Sequence, residues 1–305
     1  MLRTLPSFPR SLAALLVATS LAFHAAPAAA EEAKWDPAWP KFSKAEMAFT
    51  AGMGLSAAAA VLLYHTPTRN WDGGILFDEA ARSGLRLRTR EARTVTASIS
   101  DGIYYGLLAF PLLVDLPLAG LVHKNGELVV QMLAMDLESF AVGGVLAMSF
   151  EKVGRARPML EECERDPGYD RKCGNGPNLN SGFLSGHTAI AFTGAGLICA
   201  HHTHLPLYGG GAPDIAVCIA GLAAAFTQGT FRVTSDNHYA SDVLLGAGLG
   251  LASGWLLPSL LHYRKSSSGS ASLLPSVRSR DGQTFGVLAP TASPQSVGAS
   301  FTGVF

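Results

Sequence analysis

Three short segments place basic and potentially catalytic side chains at the edges of otherwise apolar stretches. They are Gly154-Arg155-Ala156-Arg157-Pro158, Leu184-Ser185-Gly186-His187 and the stretch from Arg232 to Asp242. Histidine can act as a nucleophile or move a proton, and arginine binds the oxygens of an anion through two parallel hydrogen bonds. These residue types are those of an anion site with catalytic groups.

The third segment combines a histidine, a carboxylate and an arginine. His238 and Asp242 are four residues apart and share a face if the segment is helical. A carboxylate beside an imidazole can accept the proton of one ring nitrogen and leave the other free to attack. We therefore expect His238 to be the nucleophile and Asp242 to orient it, while Arg232 binds the anion.

The second segment predicts the start of a helix that binds an anion. Ser185 is a suitable N-cap, Gly186 lets the backbone approach a ligand, and free N–H groups at a helix start favour phosphate. His187 then lies in the first turn, where a general acid is well placed. In the first segment, Arg155 and Arg157 add guanidinium groups.

Each segment alone has an ordinary structural explanation. A single histidine on an apolar helix is usually a core residue, and arginines at a helix end usually face solvent. The combination is more specific, because all three segments occur at helix ends or edges and together supply a nucleophile, an acid and several cations.

This combination resembles the type-2 phosphatidic acid phosphatase (PAP2) superfamily, which includes bacterial acid phosphatases and vanadium haloperoxidases. Its signature is Lys-x6-Arg-Pro, then Pro-Ser-Gly-His, then Ser-Arg-x5-His-x3-Asp. The chain matches it at Arg157-Pro158, Ser185-Gly186-His187, Arg232, His238 and Asp242, and the resemblance covers about residues 100–262.

The chain departs from the signature at three positions. Phe150 stands where the family has its lysine, Leu184 replaces the proline, and Phe231 replaces the serine before Arg232. We expect Lys152 or Arg155 to supply the missing phosphate contact.

The resemblance implies a helical bundle with its active site at one end and a phosphatase that needs no metal cofactor. Arg157, Arg232 and the backbone at Ser185–Gly186 would hold the phosphoryl oxygens. His238 would form a phosphohistidine, and His187 would protonate the leaving group and then activate water. The substrate would be a phosphorylated lipid or a small phosphate ester.

Two other functions remain open. The first is a vanadate-dependent haloperoxidase, which Phe150 argues against because those relatives usually keep the lysine. The second is an envelope protein that binds a phospholipid head group without catalysis. Vanadate would be a cofactor only in the first case.

The elements that position these segments are apolar and helical. Of 305 residues, 48% are hydrophobic and 15% are charged, and the 23 basic residues equal the 23 acidic ones, which argues against nucleic-acid binding. Periodicity predicts an all-α bundle of about six helices, each with about the 20 residues that span a membrane. The apolar segments are 47–66, 103–122, 128–150, 187–200, 215–231 and 243–262.

The chain ends have different compositions. A basic start, an apolar run and Ala28-Ala29-Ala30 predict a secretory signal at residues 1–30, with an uncleaved anchor helix as the alternative. The PAP2-like domain follows at 31–263, with its motifs within 150–245. Residues 264–305 form a linker and a tail that is irregular or a short β-hairpin.

We expect an inner-membrane protein with several spans and a site facing the periplasm. Export permits a disulfide between Cys163 and Cys173, which share one polar loop, whereas Cys199 and Cys218 are expected to be small buried hydrophobes. Three spans after a cleaved signal would instead place loop 151–184 in the cytoplasm. This conflict is resolved if one early segment does not span, if the signal remains as an anchor, or if the bundle is soluble in the periplasm.

Overall fold

The computed structural model describes residues 32–174 and 179–265, together with the backbone of three strands beyond them. The predicted signal segment and the linker at 266–270 lie outside the described residues. The chain divides into two compact units, residues 1–264 and 265–305.

The described part of the first unit is all-α, as predicted. Its helices are α1 (Lys44–Leu62), α2 (Asp78–Leu85), α3 (Arg90–Phe110), α4 (Gly126–Glu151), α5 (Met159–Arg165), α6 (Gly186–His204), α7 (Ala212–Thr234), α8 (Ala240–Leu251) and α9 (Leu257–Leu261). Turns of π-helix extend α3 at Pro111–Asp115 and Leu118–Val122, and join α8 to α9 at Ala252–Leu256.

The second unit contains an antiparallel sheet with the order β1 (Ser276–Arg278), β2 (Thr284–Ser293) and β3 (Ser296–Gly303). The pairing of β2 with β3 runs from Gly286↔Gly303 to Ser293↔Ser296. The tail therefore has the antiparallel pair that the sequence analysis allowed, and a third strand in addition.

Helix α6 is the centre of the bundle, and most of its residues are buried. Small residues allow α8 and its π-helical extension to approach α6 closely. A Cβ atom on Gly250 would lie 2.3 Å from the carbonyl oxygen of Ala189, and one on Gly254 would lie 2.0 Å from that of Thr193. This contact between backbones fixes α6 and α8, which both carry motif residues at their starts.

The motif residues all lie at one end of the bundle, where α4 and α7 end and where α6 and α8 begin. The opposite end is closed by an apolar cluster that includes Trp35, Leu128, Leu205 and Tyr263. Helix α1 runs parallel to α4: Phe42 N, just before α1, donates to Gln131 Oε1 near the start of α4 over 3.0 Å.

Acidic residues inside the apolar helices pair with histidines near this opposite end. Asp136 contacts His201 over 2.9 Å, and Glu138 contacts His262 over 3.0 Å. His202 contacts both Asp115 and Asp214, over 3.2 and 2.6 Å. These side chains are buried, so the acids face the interior of the bundle, which is the arrangement that makes them tolerable in lipid.

Among the described residues, five helices are long and apolar enough to cross a membrane: α1, α3 with its extension, α4, α7, and α8 continued through α9. Large apolar side chains on them face outward, including Leu62 at 83% exposure, Leu121 at 77% and Phe226 at 71%. Such surfaces favour contact with lipid over water. These are the features of a multi-pass membrane protein.

Two disulfide bonds occur among the described residues. Cys163 of α5 is joined to Cys173, the pair that the sequence favours. Cys199 of α6 is joined to Cys218 of α7, so the expectation that these two are unpaired hydrophobes is wrong. The sequence gives no sign of this second pairing because it depends on how α6 packs against α7.

The contact between α6 and α8 can be tested with two glycines on α8. In Gly250→Ala the new methyl group meets Ala189 O and, at 2.6 Å, Phe192 Cβ. We expect a loss of about 1–3 kcal/mol in the free energy of unfolding. Gly248→Ala is the control, because nothing lies within 4 Å of its Cβ position. Equal unfolding temperatures of the two variants in detergent would contradict the packing described here.

Candidate active site

His238 lies in the turn between α7 and α8 and is 2% exposed. Its Nδ1 is 2.9 Å from the carbonyl oxygen of Gly182. Because a carbonyl only accepts, Nδ1 carries the proton and the lone pair is on Nε2. Nε2 is buried and has no hydrogen-bond partner among the described residues.

The surroundings keep His238 neutral. Burial lowers its pKa well below the usual value, and the positive charges of Arg157 and Arg232 lower it further. A neutral imidazole with an unpaired Nε2 is the form that can attack an electrophile.

Asp242 does not contact the His238 ring in this structure, contrary to the orienting role expected for it. Its Oδ1 accepts a hydrogen bond from Arg155 Nη1 over 2.6 Å, and its Oδ2 accepts one from the backbone N–H of Tyr239 over 2.9 Å. The carbonyl of Gly182 orients His238 instead. Asp242 stabilises the start of α8, and thereby the backbone just after His238.

Arg155 was expected to bind phosphate, and the structure corrects this. The side chain is fully buried, and its guanidinium donates to Asp242, Asp78, Ser241 and the carbonyl of Gly73. The aromatic rings of Trp71 and Tyr239 lie 4.4 and 4.3 Å from its central carbon. With these partners in place, Arg155 is a structural clamp.

Asp78, at the start of α2, is the second carboxylate of this clamp. Burial alone would raise its pKa, but hydrogen bonds from Ile75 N, Ser241 and Arg155 outweigh burial and lower it. Asp78 is therefore ionised and joins α2 to α8 through Ser241, whose N–H and hydroxyl both donate to it, over 2.8 and 2.6 Å.

Arg157 and Arg232 are both buried, and the charges of both act on His238. Arg232, in the last turn of α7, donates from Nη1 to Asp101 Oδ1 over 2.9 Å, while its buried Nε has no partner among the described residues. Arg157 Nη2 lies 3.5 Å from Ser181 Oγ. Burial lowers the pKa of Arg157, and Glu151 opposes that shift.

The start of α6 has the predicted geometry. Ser185 is the N-cap and accepts a hydrogen bond from Thr188 N. His187 lies in the first turn, with its ring 4.8 Å from that of Tyr104 and its Nε2 3.6 Å from Asp101 Oδ1. Ser185 N also donates to the carbonyl of Asp242 over 3.0 Å, which ties α6 to α8.

The protonation of His187 depends on what the site binds. Burial, together with the charges of Arg232, Arg157 and Lys172, lowers its pKa to about 2. An anion bound among these cations would offset their charge and raise this pKa.

Three residues near the candidate site were not among those expected from the sequence. Asp101 of α3 contacts both Arg232 and His187, and its only signal was an acid within an apolar helix. Gly182 supplies the acceptor for His238, for which no sequence signal exists. Lys172 lies in the polar loop, where a lysine is unremarkable.

Lys152, the other residue expected to supply the missing phosphate contact, contacts the segment that follows α1. Its Nζ donates to the backbone carbonyl of His65 over 2.9 Å and lies 4.7 Å from the centre of the Tyr64 ring. Phe150 is 43% exposed, and its ring centre is 6.1 Å from that of Phe183.

The comparisons with known proteins agree with the motifs. Residues 129–266 match the PAP2 superfamily. This segment contains Arg157, Ser185–His187, Arg232, His238 and Asp242, so the resemblance drawn from the motifs is confirmed.

One relative of this chain is a lipid A 1-phosphatase of Porphyromonas gingivalis, which is 33% identical over 148 residues. The match covers 48% of this chain and 28% of that protein, so the chain spans less than a third of its relative's length. No solved structure matches the chain.

Arg155→Met tests the clamp. The substitution leaves Asp78 and Asp242 buried without their guanidinium partner, and breaking a buried pair in this way costs about 3–5 kcal/mol. We expect a clear drop in the unfolding temperature. Arg88→Met, which removes the same charge from an exposed position, should leave that temperature unchanged. A clamp variant as stable as the original protein would show that Arg155 has no structural role.

Proposed function

We propose that this protein is a phosphatase that hydrolyses a phosphomonoester or diphosphate through a phosphohistidine and needs no metal. The observation that carries the proposal is the neutral, buried His238, whose unpaired Nε2 experiences the charges of Arg157 and Arg232. A nucleophile among guanidiniums suits attack on phosphorus, because the cations stabilise the charge on the phosphoryl oxygens in the transition state.

The first chemical step forms a bond from His238 Nε2 to phosphorus as the bond from phosphorus to the leaving oxygen breaks. His187, protonated while the anion is bound, gives its proton to that oxygen. Nδ1 keeps its proton, and Gly182 O stabilises the positive charge that develops on the ring.

The second step releases phosphate. His187, now neutral, takes a proton from a water molecule as that water attacks phosphorus. The bond between nitrogen and phosphorus breaks, and the electron pair returns to His238 Nε2. Arg157 and Arg232 hold the phosphoryl oxygens in both steps.

A membrane lipid is the favoured substrate. Five helices of the described chain are suited to a bilayer, and the PAP2 relative is named as a phosphatase of lipid A. We also propose that the site faces the periplasm, because Cys163–Cys173 lies in the loop beside it and disulfides persist in oxidising compartments.

Replacing the nucleophile gives the decisive test. His238→Ala should lower phosphate release from a panel of lipid and soluble phosphates by more than about 10³-fold, because no other group can form the intermediate. His65→Ala, at an exposed histidine, is the control and should keep full activity. Release that survives in His238→Ala would exclude the mechanism. Bromide oxidation by peroxide in the presence of vanadate would indicate a haloperoxidase.

The role of His187 can be separated from that of His238 by the choice of leaving group. With an alkyl phosphate, His187→Ala should slow turnover by roughly 10²–10⁴-fold, since the alkoxide needs a proton. With p-nitrophenyl phosphate the loss should be much smaller, because nitrophenolate leaves without one. Equal losses on both substrates would contradict a role as general acid.

A further inference from the structure

Lys172 places an ammonium group beside the candidate nucleophile. It lies in the polar loop after α5, and its Nζ donates to Asn237 Oδ1 over 2.5 Å. Asn237 is the residue before His238 and is 2% exposed. The lysine therefore reaches from an irregular loop into the turn that carries His238.

The local structure holds this lysine in place. Cys173, the next residue, is joined by a disulfide to Cys163 of α5. The backbone N–H of Lys172 donates to Asp170 Oδ1 over 3.0 Å, and Asp170 is itself 6% exposed. Fixing the ammonium group of a lysine on such an anchored backbone costs less conformational entropy than fixing one on a mobile backbone.

The charges around Lys172 Nζ are mostly positive. Arg157 and Arg232 act on it from one side, and the carboxylates of Asp170 and Asp101 offset them only in part. Among the described residues, no carboxylate lies within ion-pair distance of Nζ, and its hydrogen-bond partner is the neutral amide of Asn237. An ammonium in this position stabilises the structure only if an anion joins it.

We propose that Lys172 binds the phosphate of the substrate together with Arg157 and Arg232. The family signature has a lysine on the helix, at the position where this chain has Phe150. Lys172 would supply the same positive charge from the polar loop. The inference rests on the proposed phosphatase function for its substrate. The anion site itself can be tested without turnover.

The protonation of Lys172 supports this assignment. Burial, followed by the charges of Arg157 and Arg232, lowers its pKa to about 7. In the empty site the lysine therefore loses its proton as the pH rises through neutrality, and a bound dianion restores it. Because binding must return this proton to Lys172, the affinity for the anion should fall as the pH rises.

The experiment measures binding of tungstate, a tetrahedral dianion, to the full chain in detergent. The Lys172→Met variant should bind tungstate roughly 10- to 100-fold more weakly at pH 6, because it lacks one charged hydrogen bond to the anion. Lys172→Arg should bind within a few-fold of the original protein. Arg171→Met removes a charge from the exposed neighbour in the same loop and should bind tungstate normally.

The pH profile distinguishes a ligand from a structural residue. Tungstate affinity of the original protein should fall between pH 6 and 9, and this fall should be smaller in both Lys172→Arg and Lys172→Met. The guanidinium stays charged and methionine has no proton to exchange. Protons taken up by His187 or His238 are common to all three proteins and cancel in the comparison.

Several outcomes would overturn the inference. Normal tungstate binding by Lys172→Met would do so, as would an unchanged pH profile in Lys172→Arg. Weaker binding in Lys152→Met but not in Lys172→Met would assign the contact to Lys152. Failure of the phosphatase proposal would look different: the original protein would bind tungstate through Lys172 and release no phosphate.

Discussion

The active-site end of the bundle depends on the buried guanidinium of Arg155. It links Asp78 of α2 to Asp242 of α8 and lies between two aromatic rings. The same residue's backbone carbonyl accepts the N–H of Gly182 over 2.7 Å, and Gly182 in turn orients the nucleophile. The side chain of Arg155 thus fixes the start of α8, just after His238, and its backbone carbonyl fixes Gly182, which orients the His238 ring.

This arrangement distinguishes one cation with a structural role from three that lie near His187 and His238. Arg155 pairs with the carboxylates of Asp78 and Asp242 inside the protein. Arg157 is opposed by Glu151, Arg232 by Asp101, and Lys172 by Asp170. Burial, together with the charges of Arg157 and Arg232, lowers the pKa of both His187 and His238. In the proposed mechanism a bound anion raises the pKa of His187, while His238 stays neutral as the nucleophile.

The sequence predicts the helical class and the N-cap at Ser185, because periodicity and helix-start chemistry are local properties. It predicts a shared site for Arg157, His187, Arg232 and His238 only through the combination of motifs that resembles PAP2. It does not predict the partners of Arg155 and Asp242. The four-residue spacing places Asp242 close to His238 along the chain. The partner of Asp242 is nevertheless the guanidinium of Arg155, which lies 87 residues earlier. Lys172 was missed for the same reason, since its contact with Asn237 spans 65 residues.

The histidine–carboxylate pairs at the opposite end constrain the order in which the bundle can be assembled. Asp136 and Glu138 enter with α4, but their partners His201 and His262 are synthesised 65 and 124 residues later. A lone carboxylate at the centre of a bilayer costs about 2.5–3.5 kcal/mol on insertion scales. Helix α4 is apolar enough to span a bilayer, but its two acids gain their partners only when α6 and His262, just after α9, are in place. The pairing of the acids in α4 is therefore complete only when the end of the helical unit has been synthesised.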